Sequence, residues 1–593
     1  LGRRIRYDNL TGGLNTVSSI GTINQSPNKT ETPDCQNVEY FLLGGLKSME
    51  GNTKLGNTLP ATVDCGCEYH INNIKYMMVT TTDGEVYEYN PVTAEFDLKY
   101  TFPTDTTRHS IVPFSLGVVI SNGVDDMVYY QKGRATQLSG SISGTSGDDD
   151  VTGISTKFTT ELHVGEYFIV GDETYIVKEI TDDTHLKLTT NITTTFTTAT
   201  YNLTEISLCN ATLKNTDDSA VSKPIRGLAL NVYRGRLMVG GSDNNLYYSE
   251  LGKFFGWDIK YGAGAFDPFY NDTSDILALG LYGESLVIHR QDFSYLLSGT
   301  DSDPTNWQID PFADISCDSQ QSFIVTNNAY YVYSKKNRGI YPLMKRNMFS
   351  DRFVGDELSI KVRNLFDNLN NSNLNSIFAI ASPRKRWLIM YMPFVQGTGS
   401  NIAMVYDFQT NSWLRRVVPQ DVTCAFNYDS KVYIGTADGD VLEEFSGLTF
   451  DGDIKIPFYW KSPWYDFGDG SHYQSIREFR TQIAEDFNED FFVRNYRDGL
   501  DNHKSRRIRN KSGLKSALVW SDDDGLITDT VWDDYEWSDT GFTTYRFPLA
   551  NSYFQQMQVE FCGNLEMTAE GTTQGMAMYG YELHDIQTEE SKW

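Results

Sequence analysis

At 593 residues, 40% hydrophobic and 22% charged, the chain has an ordinary folded composition and is too long for a single hydrophobic core, so several domains are expected. A formal net charge of −28 excludes general nucleic-acid binding by counterion release, although a like-charged wall is what a conduit would use to keep DNA from sticking. Seven scattered cysteines make no disulfide framework, and the longest apolar run, 387–395, is too short to span a bilayer and contains Pro393, so no membrane insertion is expected. The cysteines read as small hydrophobes of a reducing compartment, and residues 1–10 lack the apolar core of a secretory signal. The 36 Tyr and 33 Phe suit pleated, half-buried surfaces and lean the chain towards strand.

In chain order, residues 1–60 read as an N-terminal arm and platform segment. A polar arm leads into "DCQNVEYFLLGGLKSMEG" (34–51): a short strand, a Gly44-Gly45 turn, and a charged turn closing on Gly51, with no catalytic constellation. Residues 61–138 begin a repeat. "YMMVTTTDGEVYEY" (76–89) is an apolar strand, an Asp-Gly turn and an alternating strand, and "VYIGTADGDVLEEF" (432–445) repeats it. Asp-Gly between such runs marks a hairpin, because both residues tolerate positive φ. Looser copies place turns near 84, 124, 244, 291, 337, 399 and 439. Most gaps are roughly 40–47 residues and one is about 62, the period of β-propeller blades.

The wide gap from 124 to 244 implies an insertion, placed at 139–216. It opens with a Gly/Ser/Asp linker and continues as four or five short alternating strands, the size of a small β-barrel. Residues 217–451 carry the remaining blades, and 351–370 is the best helical candidate, one short amphipathic piece between blades. From 452 to 593 the texture changes to a C-terminal β-rich domain holding six of the ten tryptophans. The expected fold class is all-β: a β-propeller with an inserted small β-barrel and a C-terminal antiparallel β domain.

Enzyme signatures are missing. There is no Walker loop, HExxH or GxSxG elbow, and the eight histidines show no metal-ligand spacing. His289, inside "SLVIHRQ", reads as a satisfied strand residue. "SDDDGLITDTVW" (521–532) begins like the Asp-box turn of sialidase-type propellers, but Ile527 stands where that turn needs Thr. The same region is the densest acidic cluster, including Asp522, Asp523, Asp524, Asp533 and Asp534. Clustered carboxylates suit calcium, yet EF-hand spacing is absent and a solvated acidic face accounts for the run. Upstream, "HKSRRIRNKSGLK" (503–515) carries Arg506, Arg507 and Arg509. This basic run reads as a solvated loop or as a subunit contact against a neighbour's acidic stretch. Nucleic-acid binding is a third reading, without the interleaved aromatics it calls for.

Four stretches, taken in order, resemble the tail nozzle (tail tubular protein B) family of short-tailed bacteriophages. They are the opening motif at 34–51, "NVYRGRLMVGGSDNNLYYSELGKFFGWDI" (231–259), "CDSQQSFIVTNNAYYVYSKKNRGIYPL" (317–343) and "MVYDFQTNSWLRRVV" (404–418). The resemblance implies a structural virion protein. It would form a hexameric ring below the portal and adaptor and pass genomic double-stranded DNA without binding it tightly. It would also hold tail fibres or spikes, with no cofactor and no catalysis. The location implied is the virion tail, with assembly in the host cytoplasm. The rival readings are a propeller that binds receptor glycans through exposed loop aromatics and a glycosidase, which needs paired carboxylates at a fixed separation.

Overall fold

Seven antiparallel sheets stand in a ring in the computed structural model of the chain. It describes residues 3–508, 542–548, 553–563 and 577–589, apart from 19–22, 24–27, 42–43, 107, 135, 172, 210, 216–218, 221, 241–242, 267–273, 318, 327–328, 344–355, 395–400, 448, 452–453, 468–471 and 485–490. Each sheet is a meander whose first strand faces the axis. These inner strands are Val63–Ile71, Ser110–Phe114, Ala229–Tyr233, Ala278–Tyr282, Phe323–Val325, Phe378–Ser382 and Val422–Tyr428. Each touches the next in that order, and the seventh touches the first, so the ring is closed. The fold is a seven-bladed β-propeller.

The strands flanking all seven turns read from the sequence pair as the second and third strands of their blades, although the turn near 399 itself lies outside the described residues. These middle strands are buried on both faces, which is why they read as unbroken apolar runs; Gly117–Ser121, Ser285–His289 and Trp387–Met392 are buried throughout. The fifth blade has three strands among the described residues. It is followed by the 3-10 helix Ile360–Asn368, inside the amphipathic stretch 351–370, which buries Val362 and Phe366.

Two strands lie elsewhere than the sequence reading has them. Asn52–Leu55, read as part of the arm, is the fourth strand of the seventh blade and pairs with Val441–Glu444. Asn202–Cys209, read as part of the insert, is the fourth strand of the second blade and pairs with Met127–Tyr130. Both strands alternate normally, and only their long-range partners reveal where they belong. Between Met127–Tyr130 and Asn202–Cys209 the chain makes the small barrel from six strands, Ser141–Gly144 to Phe196–Ala199. It wraps its own apolar core of Phe158, Phe168, Val177, Leu188, Tyr201 and neighbours. The barrel leans on the third blade, where His163 stacks on Phe255 with ring centroids 3.5 Å apart.

Both chain ends build the remaining body. In one sheet Ala577–Glu589 pairs with Arg3–Tyr7, Gly45–Ser48, Tyr473–Ser475 and Glu478–Ala484. The second sheet runs Cys35–Gln36, Phe458–Lys461, Met557–Gly563, Phe491–Arg497, Leu500–Ile508. Tyr7, Trp460, Phe479, Phe561 and Tyr581 fill the space between these sheets in a core continuous with the sixth blade. Gly44 sits at φ 86°, and a Cβ there would lie 2.7 Å from the Asp8 carbonyl, so the first glycine of the Gly44-Gly45 turn has room for no side chain. No helix among the described residues is long and apolar enough to cross a membrane.

Candidate functional site

The starts of the seven inner strands converge on one end of the propeller axis and enclose a cavity of about 770 Å³. Every blade contributes: Asp64, His109, Arg226, Asp275, Gln320, Phe378 and Asp421 come from blades one to seven in turn. The volume is in the range of small-ligand clefts. The wall sets carboxamide, hydroxyl and charged groups among apolar surface from residues such as Leu228, Leu277 and Val422. Among the described lining residues the one aromatic carbocycle, Phe378, is 2% exposed and offers no platform for a sugar ring.

Two glutamines of the "CDSQQSF" motif lace the mouth together. Gln320 Nε2 donates to the carbonyls of Leu230 (3.1 Å) and Leu279 (2.9 Å), and its Oε1 accepts from the Leu279 amide, tying blades three, four and five. Gln321 Nε2 donates to the Asp64 carbonyl at 3.1 Å, across the axis to blade one. Backbone groups at the inner strand ends need partners, and Gln320 meets them with two donors and one acceptor while Gln321 meets one with a donor.

The same wall holds a pair that sequence reasoning missed. His109 Nδ1 donates to Asp64 Oδ2 at 2.7 Å, with the imidazole fully buried and the carboxylate nearly so. Thr80 Oγ1 donates to the other carboxylate oxygen, also at 2.7 Å. The remaining ring nitrogen, His109 Nε2, is buried and has no partner. Arg108 donates to the Asn375 carbonyl at 2.5 Å, and Arg226 pairs with Asp126 at 3.0 Å. His289 lies one blade layer away and behaves as the sequence suggests, a satisfied strand residue held between Tyr330 and Ser294.

The second concentration of polar contacts joins the propeller to the two-sheet body, and two of the four resemblance motifs, 34–51 and 404–418, meet there. Asn37 of the opening motif spans the boundary. Its Nδ2 donates to the carbonyls of Val417 (3.0 Å) and Pro457 (2.8 Å), while its Oδ1 accepts from the Val417 amide. Asp34 accepts from Arg415 at 2.8 Å and from Lys461 at 3.2 Å. Beside them Arg416 and Glu444 form an ion pair at 2.8 Å with neither side chain exposed, and the guanidinium lies between the rings of Phe445 and Phe450. Trp413 Nε1 donates to the Leu358 carbonyl, linking the sixth blade to the end of the fifth.

Burial pushes the thiols of Cys35, Cys65 and Cys209 up to about 12, which makes them inert. Among the described residues no group of three or more His, Cys, Asp or Glu side chains could hold a metal ion. Of the charged residues singled out in the sequence, Arg506 and Arg507 lie on Leu500–Ile508, in register with Val493 and Phe492. Arg509, Asp522, Asp523, Asp524, Asp533 and Asp534 lie outside the described residues.

No protein-family model matches the chain, and no curated protein matches it. Solved structures do. A computationally designed protein, Ika8, is 12% identical with a TM-score of 0.35, covering 66% of this chain and 98% of its own. BamB from Moraxella catarrhalis is 9% identical with a TM-score of 0.31, covering 68% of this chain and 92% of its own. The WD40 repeats of RRP9 are 6% identical with a TM-score of 0.35, covering 67% of this chain and 99% of their own.

Proposed function

We propose that the chain is a structural subunit of a phage tail nozzle, a ring below the portal and adaptor through which genomic DNA leaves the capsid. The observation that carries this reading is the weld between propeller and two-sheet body. The opening motif, which has no pocket of its own, supplies Asp34 and Asn37 to that weld and the strands Cys35–Gln36, Val38–Phe41 and Gly45–Ser48 to its sheets. A motif spent on fastening two bodies into one suits a building part whose shape is its function. The net charge of −28 suits a wall that repels phosphates from all sides, so that DNA slides and does not dock. In this reading the protein has no catalytic turnover, assembles as a hexamer, and holds fibres or spikes on its outer surface.

The test is to incubate the purified protein with its cognate portal complex and image the product. A sixfold ring with an open axis is expected. A different symmetry, no binding, or a tight salt-dependent complex with free duplex DNA would each defeat the reading.

A further inference from the structure

The seat of the barrel on the third blade is built around one titratable ring. His163 lies in the turn before the barrel strand Glu166–Val170 and is half-buried. It stacks on Phe255 with ring centroids 3.5 Å apart and an interplanar angle of 21°. Phe255 belongs to loop 253–257 of the third blade. Next to it Phe254 stacks on Tyr129 at 4.0 Å, and its carbonyl accepts from Cys209 Sγ at 2.7 Å and from Trp257 Nε1 at 3.1 Å. The loop therefore covers Cys209, and the barrel presses on it through His163.

The charges around the imidazole are mostly cationic. Arg134 faces it from the segment leading into the barrel, and Lys253 faces it from the loop. Lys253 pairs with Glu250 at 2.9 Å and lies 5.9 Å from the Phe255 ring. Tyr129 lies 5.8 Å from the Arg134 guanidinium. On the side of the barrel the carboxylate is Glu166, which accepts the His163 amide at 2.8 Å and takes Arg134 with its other oxygen. Arg134 also donates to Ser207 Oγ at 2.6 Å, and Glu166 stands in register with Ser207 on the strand Asn202–Cys209. That ion pair sits at the root of the barrel and is common to an open and a closed loop. Burial first, then the two cations, hold His163 down to about 4, so its ring is neutral at pH 7. Cation–π attraction to Phe255 would favour the imidazolium, but burial and the neighbouring cations outweigh it.

We propose that the His163–Phe255 stack is an acid-released catch: the neutral ring holds loop 253–257 closed over Cys209, and protonation lets the loop open while the barrel stays rooted through Asn202–Cys209. Released from the stack, a histidine titrates near 6.5. The open state therefore takes up the proton first, and opening is favoured as pH falls from about 6.5 towards 4. Between pH 7.5 and 5 the open-to-closed ratio rises by up to about 30-fold. The catch works within one chain and does not depend on ring assembly.

Cys209 is a native reporter, since it reacts only when the loop uncovers it. Its modification by methyl methanethiosulfonate is followed by mass spectrometry and divided by the rate of a free cysteine peptide at the same pH. This normalised rate should rise by about 10- to 30-fold between pH 7.5 and 5. His163→Phe keeps a ring on Phe255 but cannot take up a proton, and should hold the rate flat. Lys253→Ala removes one facing cation and should shrink the rise. Cys424, buried in the seventh blade, reports global opening. A flat wild-type rate, an equal rise in His163→Phe, or a matching rise at Cys424 would each overturn the proposal.

Discussion

His289 should make the propeller acid-sensitive by an amount the structure sets. Ser294 Oγ gives its proton to the Ile315 carbonyl at 2.5 Å, so it accepts from His289 Nδ1 at 2.8 Å. Nε2 then accepts from the Tyr330 hydroxyl at 2.6 Å. The neutral ring is fully satisfied and fully buried, and burial pushes its pKa down to about 3. An unfolded histidine titrates near 6.5. The unfolded chain therefore binds the proton first, and stability falls as pH drops through the window from about 6.5 to 3. Between pH 7 and pH 5 this one group removes about 2 kcal/mol. His289→Gln keeps one donor and one acceptor but cannot titrate. Urea unfolding of both proteins at the two pH values, followed by fluorescence, isolates the histidine because all other groups cancel. The wild type should lose about 2 kcal/mol more than the variant. Equal losses would mean that His289 is protonated in the folded state or reaches solvent, and the argument from burial would fail.

The remaining expectations concern the construction of the fold. Removing residues 140–199 and joining the ends should leave a soluble propeller, because the Leu138 amide already bonds the Tyr201 carbonyl at 3.0 Å. Extending the deletion to 209 removes the fourth strand of the second blade and should give aggregates on size-exclusion chromatography. Arg416→Ala should cost about 3–5 kcal/mol in unfolding free energy by stranding the buried Glu444 carboxylate. The double change Arg416→Met with Glu444→Leu should recover most of that loss.

The middle hairpins were legible because their two strands follow one another in sequence and are doubly buried. "TTDGE" and "TADGD" announce their own geometry. Partners far away in sequence leave no such trace. Asn52–Leu55 is polar and short, and nothing near it indicates that its ladder lies at Val441–Glu444. The boundary of the insert was blurred for the same reason, since Asn202–Cys209 alternates like the barrel strands before it. The mouth of the channel was the least legible part. Asp64 in "TVDCGC" and His109 in "TRHSIV" have no motif between them and meet only because adjacent blades start side by side. Gln320 and Gln321 stood inside a recognisable stretch, but their role in lacing blades appears only when the ring is closed.

The closure of the seventh blade by Asn52–Leu55 also sets a clock on synthesis. That strand leaves the ribosome early, yet its partner at Val441–Glu444 follows some 386 residues later (441 minus 55). At about 5–20 residues per second the wait is roughly 20–80 s. Arg3–Tyr7 waits longer still, for Ala577–Glu589. Throughout that interval six blades can form behind an N-terminal segment that has nothing to pair with, and the ring stays an open crescent. The last contacts made are therefore those between the two ends of the chain. A product cut before Ala577–Glu589 could not present the finished two-sheet body, so only a chain that includes that strand would offer a complete surface to the next component.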